Sequence, residues 1–417
     1  MHKNNDVRLL FATRIARMFA YGFLSVVLLL YLAELGLTEN RIGLLLTLTL
    51  VGDTIISLGI TTTADRLGRK SMLIVGAVLV AFAGILFAST TNFVLLLIAA
   101  TIGVISPSGS EVGPFLSIEQ AALSQLISAE GRTQIFAWYN LSGSFATASG
   151  ALGGGVLAQS LQGAGMSMLG SYRVIVIGYA AMGIVLSFMF AWLSPAAEAQ
   201  APRKDMASAP PHARDRKRRI YDMLGLPRSG RVVLKLSALF SLDAFAGAFI
   251  LQSIVAYWFH LRYGVQPAAL GAIFFGGNIL AGISALSASW LARRIGLINT
   301  MVFTHIPSNI LLILVPLMPN LPLAIAMLLL RFSISQMDVP TRQSYTMAVV
   351  DPDERSAAGG VTSVARSAGS SLAPVFAGQL LKLSMLNAPF FLAGGLKIVY
   401  DVLLYRNFRA SQAPEKR

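Results

Sequence analysis

The sequence predicts an all-α membrane protein that crosses the bilayer twelve times, in two pseudo-symmetric bundles of six helices. The first observation behind this prediction is composition: 55% of the 417 residues are hydrophobic and only 12% are charged. A soluble protein carries about 25% charged residues, so this chain has too few charges to cover a surface that faces water. The second observation is the regular succession of long apolar segments.

Each apolar segment is near or above the ~20 residues that a helix needs to cross the hydrocarbon core. Six precede a polar stretch, at 8–34, 41–60, 71–90, 93–127, 134–160 and 172–194. Six follow it, at 232–262, 267–291, 298–318, 321–349, 357–381 and 386–405. The polar stretch is rich in proline and arginine, which is typical of a flexible linker. We therefore divide the chain into an N-terminal bundle (1–194), a linker (195–230) and a C-terminal bundle (231–417).

The basic residues predict the orientation. Most of the 33 lysines and arginines fall at one end of the predicted segments, and the linker and both termini lie at that end. Because cytoplasmic loops are enriched in these residues, we expect both termini in the cytoplasm of a cell, in a bacterial inner membrane. The same rule accounts for the net charge of +14, so no nucleic-acid partner is expected. We expect a monomer in the lipid bilayer.

Several chemistries are excluded by what the sequence does not contain. There is no cysteine, which excludes disulfides and thiolate sites. The four histidines lack metal-binding spacing, so no metal or other cofactor is expected. The sequence contains no nucleophile cluster that would indicate an enzyme. It also contains no GxxxxGK[ST] sequence that would indicate a pump driven by ATP.

An internal repeat relates the two halves. Glu119-Gln120 is followed by Arg132, and Arg342-Gln343 is followed by Arg355, with an offset of 223 residues in both cases. The repeat maps the fourth apolar segment onto the tenth. Two homologous halves predict a site at their interface, near the middle of the bilayer.

A short loop carries a resemblance to a known family. Between the second and third segments the chain reads Ala64-Asp65-Arg66-Leu67-Gly68-Arg69-Lys70. This resembles the loop signature Gly-x-Leu-Ala-Asp-Arg-x-Gly-Arg-Lys/Arg of the major facilitator superfamily. The resemblance implies two six-helix halves that alternate access to a central site, in a secondary transporter. It also implies a gating role for Asp65, Arg66, Gly68 and Arg69.

Charged side chains inside the apolar segments are the candidate site residues, because ionisable groups in a membrane are costly and usually functional. We predict that Glu111 and Glu119, and then Asp338, carry the coupling proton. Arginine binds oxyanions with two hydrogen bonds, so Arg17, Arg342 and Arg366 are candidate substrate ligands. Gln120, Asn140 and Gln343 are candidate polar ligands. The alternative is that these charges form internal ion pairs; His305 is interpreted as a packing residue.

The sequence favours a proton-coupled secondary transporter of a small molecule. Residues 149–155 resemble an antiporter signature of the same family, with Ala151 in place of its proline, which favours efflux of an amphipathic compound. The buried arginines favour the alternative, an uptake or exchange carrier for a small organic or inorganic anion. A passive channel or facilitator is the third interpretation.

Overall fold

The computed structural model describes residues 2–127, 132–198, 221, 226–351 and 354–409. Within these residues the chain is helical and contains no strand. The first half consists of α1 (His2–Ser25), α2 (Leu28–Glu34), α3 (Glu39–Leu67), α4 (Arg69–Ser89), α5 (Phe93–Ile102), α6 (Phe115–Leu126), α7 (Arg132–Gly163) and α8 (Met168–Ala191). The second half consists of α9 (Gly230–Ala248), α10 (Gln252–Tyr263), α11 (Pro267–Ile295), α12 (Leu297–Leu314), α13 (Leu321–Ser335), α14 (Asp338–Ala348), α15 (Arg355–Lys382) and α16 (Ala388–Phe408).

These helices confirm an all-α membrane fold. Among the described residues, eight helices or helix pairs are long and apolar enough to cross a membrane, and the bent pair α1–α2 makes a ninth. The remaining predicted segments correspond to the pair α5–α6 and to α7 and α15. Because α7 has 32 residues and α15 has 28, both are long enough to span at 1.5 Å per residue. The fold is consistent with twelve crossings, a count that stays a prediction, as do the domain boundaries.

Four of the predicted segments are each broken into two helices. They are the first, fourth, seventh and tenth, and the breaks fall at 26–27, 103–114, 249–251 and 336–337. The prediction of one continuous helix over 93–127 is therefore wrong. Its broken part is rich in glycine and proline, and Gly109 and Gly113 have φ values of +67° and +80° that interrupt a helix. Glu111 consequently lies on an irregular stretch and not on a helix with Glu119.

The two halves contact each other chiefly through α3 against α15 and α7 against α11. At one end of the bundle the backbones come very close, since a Cβ added at Gly378 would lie 2.9 Å from the Cα of Gly43. A Cβ added at Gly155 would likewise lie 2.2 Å from the carbonyl oxygen of Pro267. We call this end, with its connections at 35–38, 164–167, 264–266 and 383–387, the far end. Small residues there allow the halves to pack tightly.

Candidate functional site

A cavity of about 660 Å³ lies between the two halves. All four broken segments line it, with Arg14 and Met18 from the first, 108–111 from the fourth, 243–252 from the seventh and 331–339 from the tenth. A break in a helix leaves backbone groups free to face a cavity, which is where irregular backbone is tolerated inside a membrane. The volume falls within the range of small-molecule sites.

The two halves also meet through polar contacts beside this cavity. The backbone N–H of Ser253, after the break in the seventh segment, donates to the carbonyl of Pro107 in the break of the fourth, at 3.1 Å. The side chain of Gln252 donates to Ser25 Oγ at 2.8 Å and accepts from Asn278 at 3.2 Å. The breaks therefore supply a polar link between the halves beside the cavity.

On the N-terminal side of the cavity, two arginines of α1 pair with two glutamates. Arg17 donates from Nη1 and Nη2 to the two carboxylate oxygens of Glu119, each at 2.7 Å. Glu111 accepts from Arg14 Nη1 at 2.6 Å and from Arg17 Nε at 3.0 Å. Two cations and two carboxylates make this cluster formally neutral, which lowers the cost of keeping the charges away from water.

Neutral groups complete the bonding of this N-terminal cluster. Glu119 also accepts hydrogen bonds from Thr13 Oγ1 and from the hydroxyl of Tyr139. Arg14 donates from Nε to the carbonyl of Tyr139 at 2.8 Å and from Nη2 to Asn140 Oδ1 at 3.3 Å. Each arginine therefore has at least two partners, and Glu119 is fully buried.

On the C-terminal side, Asp243 of α9 is the centre of a second cluster. Its Oδ2 accepts from Arg366 Nη1 at 2.9 Å and from Arg342 Nη1 at 3.2 Å, and its Oδ1 accepts from Lys397 Nζ. Arg342 Nη1 also donates to Asp338 at 2.9 Å. One aspartate of α9 thus ties together α14, α15 and α16.

Besides Asp243, three residues of the C-terminal side were not singled out from the sequence as site residues. Asp401 accepts from Asn309 at 3.1 Å and lies 2.9 Å from His305 Nδ1, so the histidine is a member of a polar cluster. Lys397 lines the cavity while bound to Asp243. Arg331 also lines the cavity, and its buried Nε has no hydrogen-bond partner among the described residues. A charge within an otherwise apolar segment was the signal available for all of them.

The repeat appears in the structure as a charge exchange. α6 begins at Phe115 and α14 begins at Asp338, which reproduces the offset of 223 residues. Glu119 of α6 pairs with an arginine of the first segment, whereas Arg342 of α14 pairs with an aspartate of the seventh. In each half, an ion pair therefore joins the first segment of that half to its fourth. The fourth segment supplies the acid in the N-terminal half and the base in the C-terminal half.

The structure places some of the predicted ligands at the cavity and others away from it. Glu111, Asn140 and Arg366 line the cavity. The predicted residues that do not line it are Arg17, Glu119, Asp338, Arg342, Gln120 and Gln343. The first four are buried in the two clusters, and Gln343 is exposed.

The predicted gate lies at the turn between α3 and α4. Gly68 has a φ of +97°, which a residue with a side chain rarely adopts. Arg69 donates from Nη1 to Gln125 at 3.0 Å, and Glu198 accepts from the backbone N–H groups of Arg69 and Lys70 at the start of α4. Arg66 is exposed; the side chain of Asp65 lies outside the described residues. The gating roles stay a prediction.

Comparison with known proteins places the chain in a family. It is 30% identical over 431 residues to the uncharacterized membrane protein YJR124C of Saccharomyces cerevisiae, covering 99% of this chain and 96% of that one. An 85-residue stretch, 20% of this chain, is 36% identical to 22% of the quinolone resistance protein NorA of Staphylococcus aureus. The crystal structure of the nucleoside transporter NupG matches 97% of this chain and 99% of its own, with a TM-score of 0.72 at 15% identity. A profile of the Major Facilitator Superfamily matches residues 9–374, so the chain belongs to this family of membrane transporters.

Proposed function

We propose that the protein is a proton-coupled secondary transporter that exports a small amphipathic organic anion by alternating access. One observation carries the choice of substrate class. Four cations line the cavity, from Arg14, Arg331, Arg366 and Lys397, against the two carboxylates of Glu111 and Asp243. An excess of two formal positive charges in a membrane cavity favours an anionic ligand, which offsets the cost of burying them.

Apolar side chains on the same cavity support an amphipathic substrate. Phe274, Leu312, Leu328 and Phe332 line it beside the charged groups. A ligand with an apolar body and one anionic group would bury its apolar body against these side chains and place its anionic group near the cations. Export is supported by the resemblance of 149–155 to an antiporter signature and by the local similarity to a quinolone resistance protein.

Proton coupling requires a carboxylate that can change its proton between the two states of the carrier. Glu111 is the carboxylate of the N-terminal cluster that lines the cavity, and its side chain is 16% exposed, against 0% for Glu119. Among the three predicted proton carriers, we therefore propose Glu111 as the principal one, with Glu119 and Asp338 acting through the ion pairs that they form.

A second candidate function is uptake or exchange of the anion together with a proton. It is favoured by Arg366 and Lys397, which line the cavity and are also bound to Asp243. A proton on Asp243 would release both cations for the anion, so that proton and anion would move together. In the export proposal they move in opposite directions.

The test is transport by the purified protein in proteoliposomes, under pH gradients of either sign, with a panel of organic anions and lipophilic cations. Export coupled to protons predicts that an anion accumulates on the acidic side. Accumulation on the alkaline side would favour the second candidate. Equal rates of equilibration with and without a gradient would show a passive facilitator.

A further inference from the structure

Arg331 stands apart from the other cations of the cavity. Arg14 is paired with Glu111, and Arg366 and Lys397 are paired with Asp243. Arg331 has no ion pair among the described residues, and its Nε is buried without a hydrogen-bond partner. Its guanidinium carbon lies 5.4 Å from the centroid of the Phe332 ring. Asp338 and Asp243 act on Arg331 electrostatically, but neither lies within ion-pair distance of it. A guanidinium kept within a membrane protein without an adjacent anion is costly, so its retention calls for a ligand.

The charge excess of the cavity belongs to the C-terminal half. The N-terminal cluster balances Arg14 and Arg17 against two glutamates. The C-terminal side has Arg331, Arg342, Arg366 and Lys397 against Asp243 and Asp338, while the third aspartate, Asp401, is bound to neutral Asn309 and to His305. The positive potential that an anion would experience is therefore highest on the wall formed by the tenth, eleventh and twelfth segments, which carry these four cations.

We propose that Arg331 is the residue that binds the anionic group, a carboxylate or phosphate monoester, of the transported molecule. The planar guanidinium can donate two parallel hydrogen bonds to either group. Phe332 and Leu328 beside it offer an apolar surface for the organic part of the same molecule. This inference rests on the proposed transport of an organic anion and adds which side chain recognises it.

A purely structural role makes the opposite prediction. Arg331 lies just before the last turn of α13 (Leu321–Ser335), and a cation near the C-terminal end of a helix interacts favourably with the helix dipole. If that interaction were its function, removal of the charge would destabilise the protein without ligand. If Arg331 awaits an anion, Arg331→Gln removes a buried charge that no carboxylate contacts and raises the thermal midpoint of the ligand-free protein by about 1–3 °C. Arg331→Lys keeps the charge and serves as the conservative variant.

The experiment measures the thermal midpoint of the full-length protein, first without ligand and then with a matched series of probes. The probes are 2-naphthoate, naphthyl phosphate, the neutral 2-naphthamide and the cationic naphthylmethylamine. We expect the two anions to stabilise the native protein more than the amide or amine does. Their apparent affinity should fall about tenfold or more in Arg331→Gln and less in Arg331→Lys. Arg262→Gln, an exposed arginine at the far end of the bundle, is the control and should change neither quantity.

The inference is overturned if Arg331→Gln lowers the thermal midpoint of the ligand-free protein. Such a decrease is what we expect when Arg17, which is paired, is replaced. It is also overturned if the anions stabilise no more than the amide, or if Arg331→Gln leaves their affinity unchanged. Failure of the proposed function is separable from these outcomes. Anions that bind through Arg331 but move at a rate independent of the pH gradient would contradict proton-coupled transport alone.

Discussion

Arg17 and Glu119 form a bidentate ion pair, in which Nη1 and Nη2 of the arginine each lie 2.7 Å from a different carboxylate oxygen. Neither side chain has exposed surface. The pair joins α1 to α6 across the break of the fourth segment, with Thr13 and Tyr139 donating to the same carboxylate. With so many donors directed at it, Glu119 is better suited to hold the two helices together than to exchange a proton with the cavity.

Glu119→Gln should therefore destabilise the protein. The substitution removes the carboxylate that accepts two of the hydrogen bonds of Arg17 and leaves only the bond from Nε to Glu111 at 3.0 Å. Removing one partner of a buried ion pair costs roughly 3–5 kcal/mol. We expect a lower thermal midpoint and the loss of substrate exchange as well as of gradient-driven transport. Glu34→Gln, at an exposed glutamate, is the control. A variant with a normal midpoint and normal exchange, but no gradient-driven transport, would instead identify Glu119 as a proton carrier.

The glycine contact at the far end should decide which state the carrier occupies. Gly378→Val adds side-chain atoms where a Cβ alone would lie 2.5 Å from the carbonyl oxygen of Glu39 and 2.9 Å from the Cα of Gly43. Because the backbones cannot then meet, we expect the far end to open and turnover to fall by about tenfold or more. A thiol at Ser367, introduced on the cavity wall, should become reactive from the far side of the membrane.

Gly360→Val is the matched control for this experiment. Gly360 lies on the same helix, α15, and a Cβ added there meets nothing within 4 Å. It should leave both turnover and labelling unchanged. Equal effects of the two substitutions would show that Val in α15, and not the contact between the halves, is responsible.

The orientation can be tested by thiol labelling, because the chain contains no native cysteine. We predict that Ala164→Cys, in the far-end connection at 164–167, reacts with a membrane-impermeant maleimide on intact cells. Ala207→Cys, in the linker, should react only after the membrane is permeabilised. The reverse pattern would place the linker and termini outside the cell.

The stability of the protein should depend on pH through the ionisation of Glu354. Burial opposes its charged form, but hydrogen bonds from the backbone N–H groups of Arg228 and Ser229 outweigh burial and hold the pKa of Glu354 below its ordinary value. The carboxylate thus stabilises the start of α9 (Gly230–Ala248). A lowered pKa means that this stabilisation is present at neutral pH and is lost as the pH falls through the native-state pKa.

We therefore expect Glu354→Gln to lower the thermal midpoint at neutral pH and to differ less from the native protein under acidic conditions. Thermal midpoints measured across an acidic pH series for both proteins, with Glu34→Gln as the control, check this. A difference that stays constant over the series would contradict the role of the charge.

Most of the helices could be predicted from the sequence because a membrane span leaves a direct signal, a long run of apolar residues. The breaks were harder to predict. The fourth segment contains enough apolar residues to pass as one helix, and only the positions of Gly103, Pro107, Gly109, Gly113 and Pro114 indicate otherwise. Apolar content specifies that a segment lies in the membrane, whereas backbone conformation is decided by these few residues and by the contacts they make.

The site was predictable as a set of residues and not as a set of pairs. Buried charge in an apolar segment identified Arg17, Glu111, Glu119 and Arg366 from the sequence. Which of them pair depends on how α1, α6 and α15 pack, and spacing along the chain carries no information about this. Lys397 is an example of a pair that the sequence does not reveal. It lies near the middle of α16, and its partner Asp243 lies on α9.

Glu111 connects the N-terminal cluster to the cavity, and its replacement is more informative than that of Glu119. In Glu111→Gln, Arg17 retains Glu119, and Arg14 retains Asn140 and the carbonyl of Tyr139. Neither arginine is left without a partner, so we expect the variant to fold and to keep substrate exchange.

Proton coupling through a carboxylate at the cavity can be detected as movement of protons across the membrane. Substrate is added to proteoliposomes without an imposed gradient, and the internal pH is recorded for the native protein and for Glu111→Gln. We expect a substrate-dependent pH change with the native protein and none with Glu111→Gln, although that variant still exchanges substrate. A pH change of equal size in Glu111→Gln, or none with a native protein that transports substrate, would contradict it.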